Sequence, residues 1–201
     1  IPHSRQMAAN ERPGKDEVRS LYRRTVGVIS ASQVGQRVMR LLRPYEVRIL
    51  LFDPTVDAAY ARDEFGAEMV DLETMARESD VVTCHAPKLD ATYHMINGTH
   101  FKLMKDDAVF VNTSRGDNID EQALIEELQK GRLYACLDVT SPEPPAPDSP
   151  LRTLPNVVLT PHTAGAKSYR IGHLVVEELR RCFAGEDQLF RVTPDMLDRL
   201  A

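Results

Sequence analysis

Residues 25–53 read TVGVISASQVGQRVMRLLRPYEVRILLFD, and this stretch decides the fold. It opens on a short apolar run, Thr25–Ser30, and turns through small residues to Gly35. A segment of helical length follows, in which Val34, Val38, Leu41 and Leu42 form an apolar stripe. A second apolar run, Val47–Phe52, ends on Asp53. Neither run alternates apolar with polar residues, so each reads as a strand covered on both faces, as in a parallel sheet between helices. The pattern continues outward with the runs Val81–His85, Ala108–Asn112, Tyr134–Val139 and Val157–Thr160. Leu124, Ile125 and Leu128 mark another helix, opened by Asp120-Glu121 and stopped by Gly131. A further helix is expected from about Lys167 to Phe183, and a last short one within Thr193–Leu200. This β–α alternation predicts an α/β fold, a doubly wound parallel sheet with right-handed crossovers.

The organisation expected around that sheet has three parts. Residues 1–24 form a polar opening segment interrupted by Pro2, Pro13 and Gly14. Residues 25–166 form a dinucleotide-binding domain of the Rossmann type, and 167–201 a C-terminal helix and tail. The proline-rich stretch Ser141–Pro150 excludes helix and central strand, and reads as an ordered turn or a connector.

Composition narrows the function classes. A chain 42% hydrophobic and 27% charged suits an ordinary folded domain. A net charge of -5 gives no general attraction to nucleic acid or anionic lipid. No apolar stretch approaches the roughly 20 residues that span a bilayer. His3, His94, His100 and His173 have no chelating spacing, so no metal is expected. Cys84, Cys136 and Cys182 are widely spaced and read as free thiols in a reducing cytoplasm.

The turn after the first strand is where a Gly-x-Gly-x-x-Gly fingerprint would cradle a pyrophosphate. Here Ser30 and Ser32 hold the first two positions and only Gly35 remains. The context is still strand, turn and helix, so Ser32, Gln33 and Val34 are the candidates for the phosphate contact. Asp53, about 20 residues on, can accept hydrogen bonds from ribose hydroxyls and would repel a 2′-phosphate, favouring NAD over NADP. The alternative is that Asp53-Pro54 merely forms a helix-opening turn. Each serine adds a Cβ near the phosphate, and a left-handed conformation there costs roughly 1–2 kcal/mol more than glycine. The serine hydroxyls could also donate to the pyrophosphate and recover part of that loss.

Three later segments carry the chemistry: Val111–Gly116, Leu137–Pro144 and Leu159–Gly165. Each begins at the carboxyl end of an expected strand, the edge where doubly wound sheets bind ligands. They deliver Arg115, Glu143 and His162. A guanidinium suits a substrate carboxylate. An imidazole suits proton removal near neutral pH, and a neighbouring carboxylate orients it and stabilises the imidazolium. Taken singly, each residue reads as an ion pair, a solvated side chain or a structural histidine. All three at strand ends make those readings weak.

The run from Ser79 through Gly165 resembles the D-isomer-specific 2-hydroxyacid dehydrogenase family. It does so through His85-Ala-Pro87, Thr92 with His94–Asn97, Leu103–Lys105, Asn112–Gly116, Asp120–Leu124, Leu137–Val139, Asp148–Leu151 and Leu154–His162. The resemblance implies that Arg115 binds the substrate carboxylate, His162 is the general acid/base and Glu143 is its partner. It implies that Asp138 holds the nicotinamide carboxamide, that His85, Ala86 and Pro87 line the adenine side, and that Thr113 and Ser114 lie along the nicotinamide. It further implies NAD as cofactor, a small 2-hydroxy or 2-oxo acid as substrate, a homodimer and a cytoplasmic location. Leu89 and the pair Thr140-Ser141 depart from the family pattern. Family members carry a substrate domain ahead of the cofactor domain, so the resemblance implies that residues 1–24 are a remnant of the interdomain connection, and a chain starting at Ile1 is expected to bind NAD and turn over substrate poorly. A second reading, an NAD-responsive regulator like the C-terminal-binding corepressors, shares the fold and a similar triad.

Overall fold

The computed structural model describes residues 20–165, 169–194 and 196. Seven strands form one parallel sheet: β1 (Thr25–Ile29), β2 (Arg48–Phe52), β3 (Ala67–Met69), β4 (Val81–Cys84), β5 (Val109–Asn112), β6 (Tyr134–Leu137) and β7 (Val157–Leu159). Their order across the sheet is β3-β2-β1-β4-β5-β6-β7. The helices are α1 (Gln33–Leu42), α2 (Ala58–Tyr60, continuing as a wide turn through Phe65), α3 (Leu72–Glu78), α4 (Gly98–Leu103), α5 (Glu121–Gln129) and α6 (Tyr169–Ala184). Strand order reverses beside β1, which pairs with both β2 and β4, and this opens a crevice at the carboxyl ends of β1 and β4.

The doubly wound class expected from the sequence is the one observed. Successive side chains of a strand point to opposite faces, and two apolar clusters result. Val26, Val28, Ile49 and Leu51 pack with Met39, Ala61 and Phe65 on one face. Ile29, Leu50, Val82 and Phe110 pack with Met75, Phe101 and Leu124 on the other. Phe101 and Phe110 meet edge to face with centroids 5.2 Å apart. Burying each such side chain contributes about 1.5–3 kcal/mol.

Two details differ from the sequence reading. Strand β3 escaped it, because three residues with one central charge carry too little apolar signal. Only half of the apolar stripe assigned to α1 lies on its buried face: Val38 and Leu42 are half-buried beside buried Gly35 and Met39, whereas Val34 and Leu41 are 54% and 72% exposed. A Cβ on Gly35 would stand 2.0 Å from the Ser30 carbonyl oxygen. That close approach turns the Gly35–Met39 face onto the sheet and rotates Val34 and Leu41 outward. Most of the expected opening segment (1–19), the start of the expected helix at Lys167 and most of the expected tail helix lie outside the described residues. Among the described residues, no helix is long and apolar enough to cross a membrane.

At the amino edge of the sheet, Glu127 on α5 has a side chain only 2% exposed. Its two oxygens accept Lys130 Nζ and Arg132 Nη1, each at 2.6 Å. Arg132 also donates to Asp106 and to the Met104 carbonyl, so the carboxylate joins α5 to the turn before β5. Burial acts to raise the Glu127 pKa; the hydrogen bonds from Lys130 and Arg132 outweigh it and hold the carboxyl below its ordinary value. The contribution is therefore present above the unfolded-state pKa of about 4.3 and is lost as pH falls through the lower folded value. Glu127→Gln is expected to lower unfolding free energy at pH 7 by about 1–3 kcal/mol. In urea titrations the difference from wild type should shrink below about pH 4.

Candidate active site

The turn between β1 and α1 is held by its own side chains. Ser30 adopts a left-handed backbone conformation with φ 76°, at a cost of roughly 1–2 kcal/mol for a residue bearing Cβ. Its hydroxyl donates to Asp53 Oδ2 at 3.3 Å and accepts the Ser32 amide at 3.2 Å. The Ala31 amide donates to the same Asp53 oxygen at 2.7 Å. Asp53 Oδ1 accepts the amide and the hydroxyl of Thr55 at 2.8 and 2.7 Å. Ser32 caps α1 by accepting the Gly35 amide at 3.3 Å, and the Gln36 amide goes to the Ser32 carbonyl. The amides of Gln33 and Val34 then head the helix without an intrahelical acceptor, the arrangement that receives a phosphate. Asp53 does form a turn with Thr55, but the next helix opens only at the cap residue Asp57.

Past β4, the His85 amide donates to the Ile29 carbonyl, which binds this segment to the end of β1. His85 and Ala86 are buried, and Pro87 is half-buried. The His85 ring contacts the Thr83 hydroxyl through Nε2 at 3.0 Å, while Nδ1 is buried without a partner. Burial pushes its pKa down to about 4, so the ring is neutral at physiological pH. Past β5, Ser114 is buried with its Oγ 2.8 Å from Asn112 Oδ1 and 3.4 Å from Cys84 Sγ. Asn118 donates to the Ala86 carbonyl at 2.8 Å and to Ser114 Oγ at 3.3 Å, so the segments after β4 and β5 are one network. Thr113 and Arg115 are exposed.

The segments carrying Arg115, Glu143 and His162 are joined by main-chain bonds that prolong the sheet beyond its strands. The Asp138 amide donates to the Asn112 carbonyl, and the His162 amide to the Asp138 carbonyl, each at 2.9 Å. The Asp138 side chain closes the same turn: Oδ1 accepts the Thr160 hydroxyl at 2.5 Å and the Thr163 amide at 2.9 Å, and Oδ2 the Ala164 amide at 2.9 Å. Burial acts to raise the Asp138 pKa, but hydrogen bonds from Thr160, Ala164 and Thr163 hold it below the ordinary value. His162, with φ 50°, sits inside the turn so fixed. Its Nδ1 lies 2.6 Å from Glu143 Oε1. A carboxylate only accepts, so Nδ1 carries the proton and Nε2 is left as the basic nitrogen.

The Arg115 segment packs on the Glu143 segment through Gly116, where a Cβ would stand 2.1 Å from the Thr140 carbonyl oxygen. Arg115 Nη1 donates to the Ser114 carbonyl at 2.7 Å. The structure thus gathers Arg115, Asp138, Glu143 and His162 at the ends of β5, β6 and β7, and Ser32, Asp53 and His85 around the ends of β1, β2 and β4. The sequence reading missed the supporting residues Asn112, Asn118, Asp117, Glu121 and Thr160. Only the position of Asn112 and Asn118 around Arg115 hinted at such a role.

The family model described as "D-isomer specific 2-hydroxyacid dehydrogenase, NAD binding domain" matches residues 2–164. The chain is 38% identical over 160 residues to a D-3-phosphoglycerate dehydrogenase of Archaeoglobus fulgidus, covering 78% of this chain and 30% of that protein. It is 39% identical over 170 residues to a glyoxylate reductase of Korarchaeum cryptofilum, covering 83% of this chain and 51% of that protein. Among solved structures, it resembles D-lactate dehydrogenase with NAD+ from Lactobacillus jensenii with a TM-score of 0.78 at 26% identity, covering 94% of this chain and 62% of that one. A D-isomer specific 2-hydroxyacid dehydrogenase from Xanthobacter autotrophicus in complex with NADPH and MES gives a TM-score of 0.80 at 28% identity, covering 97% and 81%. The chain spans about a third to a half of the length of these two sequence relatives.

Two outcomes follow from the geometry. His85 is charged in the unfolded chain below about pH 6.5 and neutral in the fold down to about 4. Its contribution to stability is therefore complete above pH 6.5 and is lost as pH falls from there toward 4. Chemical denaturation should show His85→Gln flattening the stability profile in that window. Gly35→Ala drives a Cβ into backbone; it should cost about 1–3 kcal/mol or more in thermal unfolding and weaken NADH binding at least tenfold by calorimetry.

Proposed function

Because the chain belongs to the D-isomer specific 2-hydroxyacid dehydrogenase family, through its NAD-binding domain, we propose that it is the cofactor-binding part of an oxidoreductase acting on a small 2-hydroxy or 2-oxo acid. The observation that carries this reading is the 2.6 Å contact between His162 Nδ1 and Glu143 Oε1, on loops joined to the Arg115 segment at one edge of the sheet. NAD supplies hydride acceptance and donation when bound. The residues fit it: Gly35 admits the close approach of α1 to β1, and the Gln33 and Val34 amides with the Ser32 hydroxyl face no competing helix acceptor. Asp53 stands at the end of β2 for the ribose, Pro87 with His85 and Ala86 for the adenine side, and Thr113, Ser114 and Asp138 for the nicotinamide side.

The protein's own steps are short. Arg115 keeps guanidinium donors beyond the one given to Ser114, and these pair with a substrate carboxylate bidentately. His162 Nε2 takes the hydroxyl proton as a 2-hydroxy acid is oxidised and returns it when a 2-oxo acid is reduced. Glu143 holds the ring in the tautomer that exposes Nε2 and stabilises the imidazolium. The homodimer and the cytoplasmic location implied by the resemblance belong to the same proposal. A second reading, an NAD-responsive regulatory protein, is favoured by one observation: Ser30 and Ser32 stand where the glycine fingerprint would be, and Ser30 is turned onto Asp53.

The two readings part in an assay of the longest form that the gene encodes. NADH oxidation with a panel of 2-oxo acids is expected, falling by about 10²–10⁴ in His162→Ala and in proportion to the loss of its partner in Glu143→Gln. NADH binding with no turnover on any acid would leave the regulator. Absence of NADH binding in calorimetry would remove both.

A further inference from the structure

One cluster near the proposed site has no part in the steps above. Asp117 follows Arg115 by two residues, in the helical turn Gly116–Asn118 after β5. Its Oδ1 accepts the Ser141 hydroxyl at 2.5 Å. Its Oδ2 is paired with Lys88 Nζ, from the loop after β4. Ser141 is held a second time, its amide donating to Glu121 Oε2 at 2.8 Å in the first turn of α5. One serine is thus gripped by two carboxylates, and it stands two residues before Glu143. The Thr140 hydroxyl bonds to the Pro142 carbonyl at 2.8 Å, which makes 140–142 one stiff piece.

We propose that Asp117 is a positioning residue for the acid–base pair: it straps the loops after β4, β5 and β6 together through Lys88, itself and Ser141. This rests on the reading of Glu143 and His162 as that pair. Both of those side chains are more than two-fifths exposed, and an exposed pair contributes too little to hold its own loop. The hold must come from beneath. The Lys88 contact is open to water and is the weaker arm; the Ser141 contact is half-buried, short and made to an ionised acceptor, which roughly doubles the strength of a neutral bond. Glu121 anchors the amide of the same residue from the other side. A shift of Asp117 therefore passes to Ser141 and, through the rigid Pro142, to Glu143. The same shift moves Arg115, because Gly116 lies against the Thr140 carbonyl with no room for even a Cβ. The strap thus keeps the carboxylate-binding and proton-transferring groups in one register.

The test uses Ser141→Ala, Asp117→Ala, the conservative Ser141→Thr and the control Glu143→Gln in the full chain. Amide hydrogen exchange at Ser141, bonded to Glu121, and at Ile119, bonded across the turn that carries Asp117, should quicken about tenfold in Ser141→Ala and Asp117→Ala, stay near wild type in Ser141→Thr, and leave the strands unchanged. The downfield proton resonance of His162 Nδ1 bonded to Glu143 should broaden or vanish in the same two variants, a change that loss of bulk packing would not single out. Wild-type exchange at these amides together with an unchanged His162 resonance in both variants would overturn the proposal. A resonance that survives Glu143→Gln would remove the acid–base reading instead, and the exchange rates would still decide the strap alone.

Discussion

The carboxyl edge of this sheet depends on Asp138. It follows β6 directly, is almost entirely buried, and is kept ionised by donors from the turn after β7. A buried charge without partners is too costly to persist, so the turn must fold around it. Two of the donors are amides, and these constrain backbone more tightly than side chain. The result is a turn whose residue 162 is held at a positive φ, a conformation uncommon for a residue bearing a Cβ. The position of the imidazole is thus a consequence of where one carboxylate is buried.

Asp53 plays the corresponding part at the other end of the crevice. It ends β2, is buried, and collects an amide and a hydroxyl from the turn after β1. Ser30 is then held left-handed without glycine. The two aspartates share a physical logic: each uses its charge to tie a neighbouring strand's loop across the sheet edge. A serine can replace a fingerprint glycine here because the lost conformational freedom is compensated by a hydroxyl that both donates to Asp53 and accepts from Ser32.

Much of this was legible in the sequence, and the reasons are uneven. Buried parallel strands announce themselves as unbroken apolar runs, which is why β1, β2 and β4–β7 were found; β3 is short and charged at its centre, and was not. The rotation of α1 could not be read from its apolar residues, because Gly35, a residue with no side chain, decides which face meets the sheet. Arg115, Glu143 and His162 could be named from strand ends and residue chemistry. Their supports could not: Asp117, Glu121 and Asn118 are common polar residues, each with a partner 20 or more residues away, and no local spacing encodes such a pairing.

The two buried aspartates also change what cofactor binding means in this fold. In the simplest picture an acidic residue at the end of β2 waits with free oxygens for a ribose. Here every oxygen of Asp53 already has a donor, so on the proposed reading a ribose hydroxyl would share the carboxylate with Ser30 and Thr55 or displace one of their hydroxyls. Exchange of one hydrogen bond for another is nearly neutral in free energy, whereas filling an empty acceptor is not. On the proposed reading, the affinity of the loop for a dinucleotide would rest less on Asp53 than on the amides at the head of α1, where phosphate charge would meet the helix dipole. Asp53 is then chiefly what keeps those amides in place.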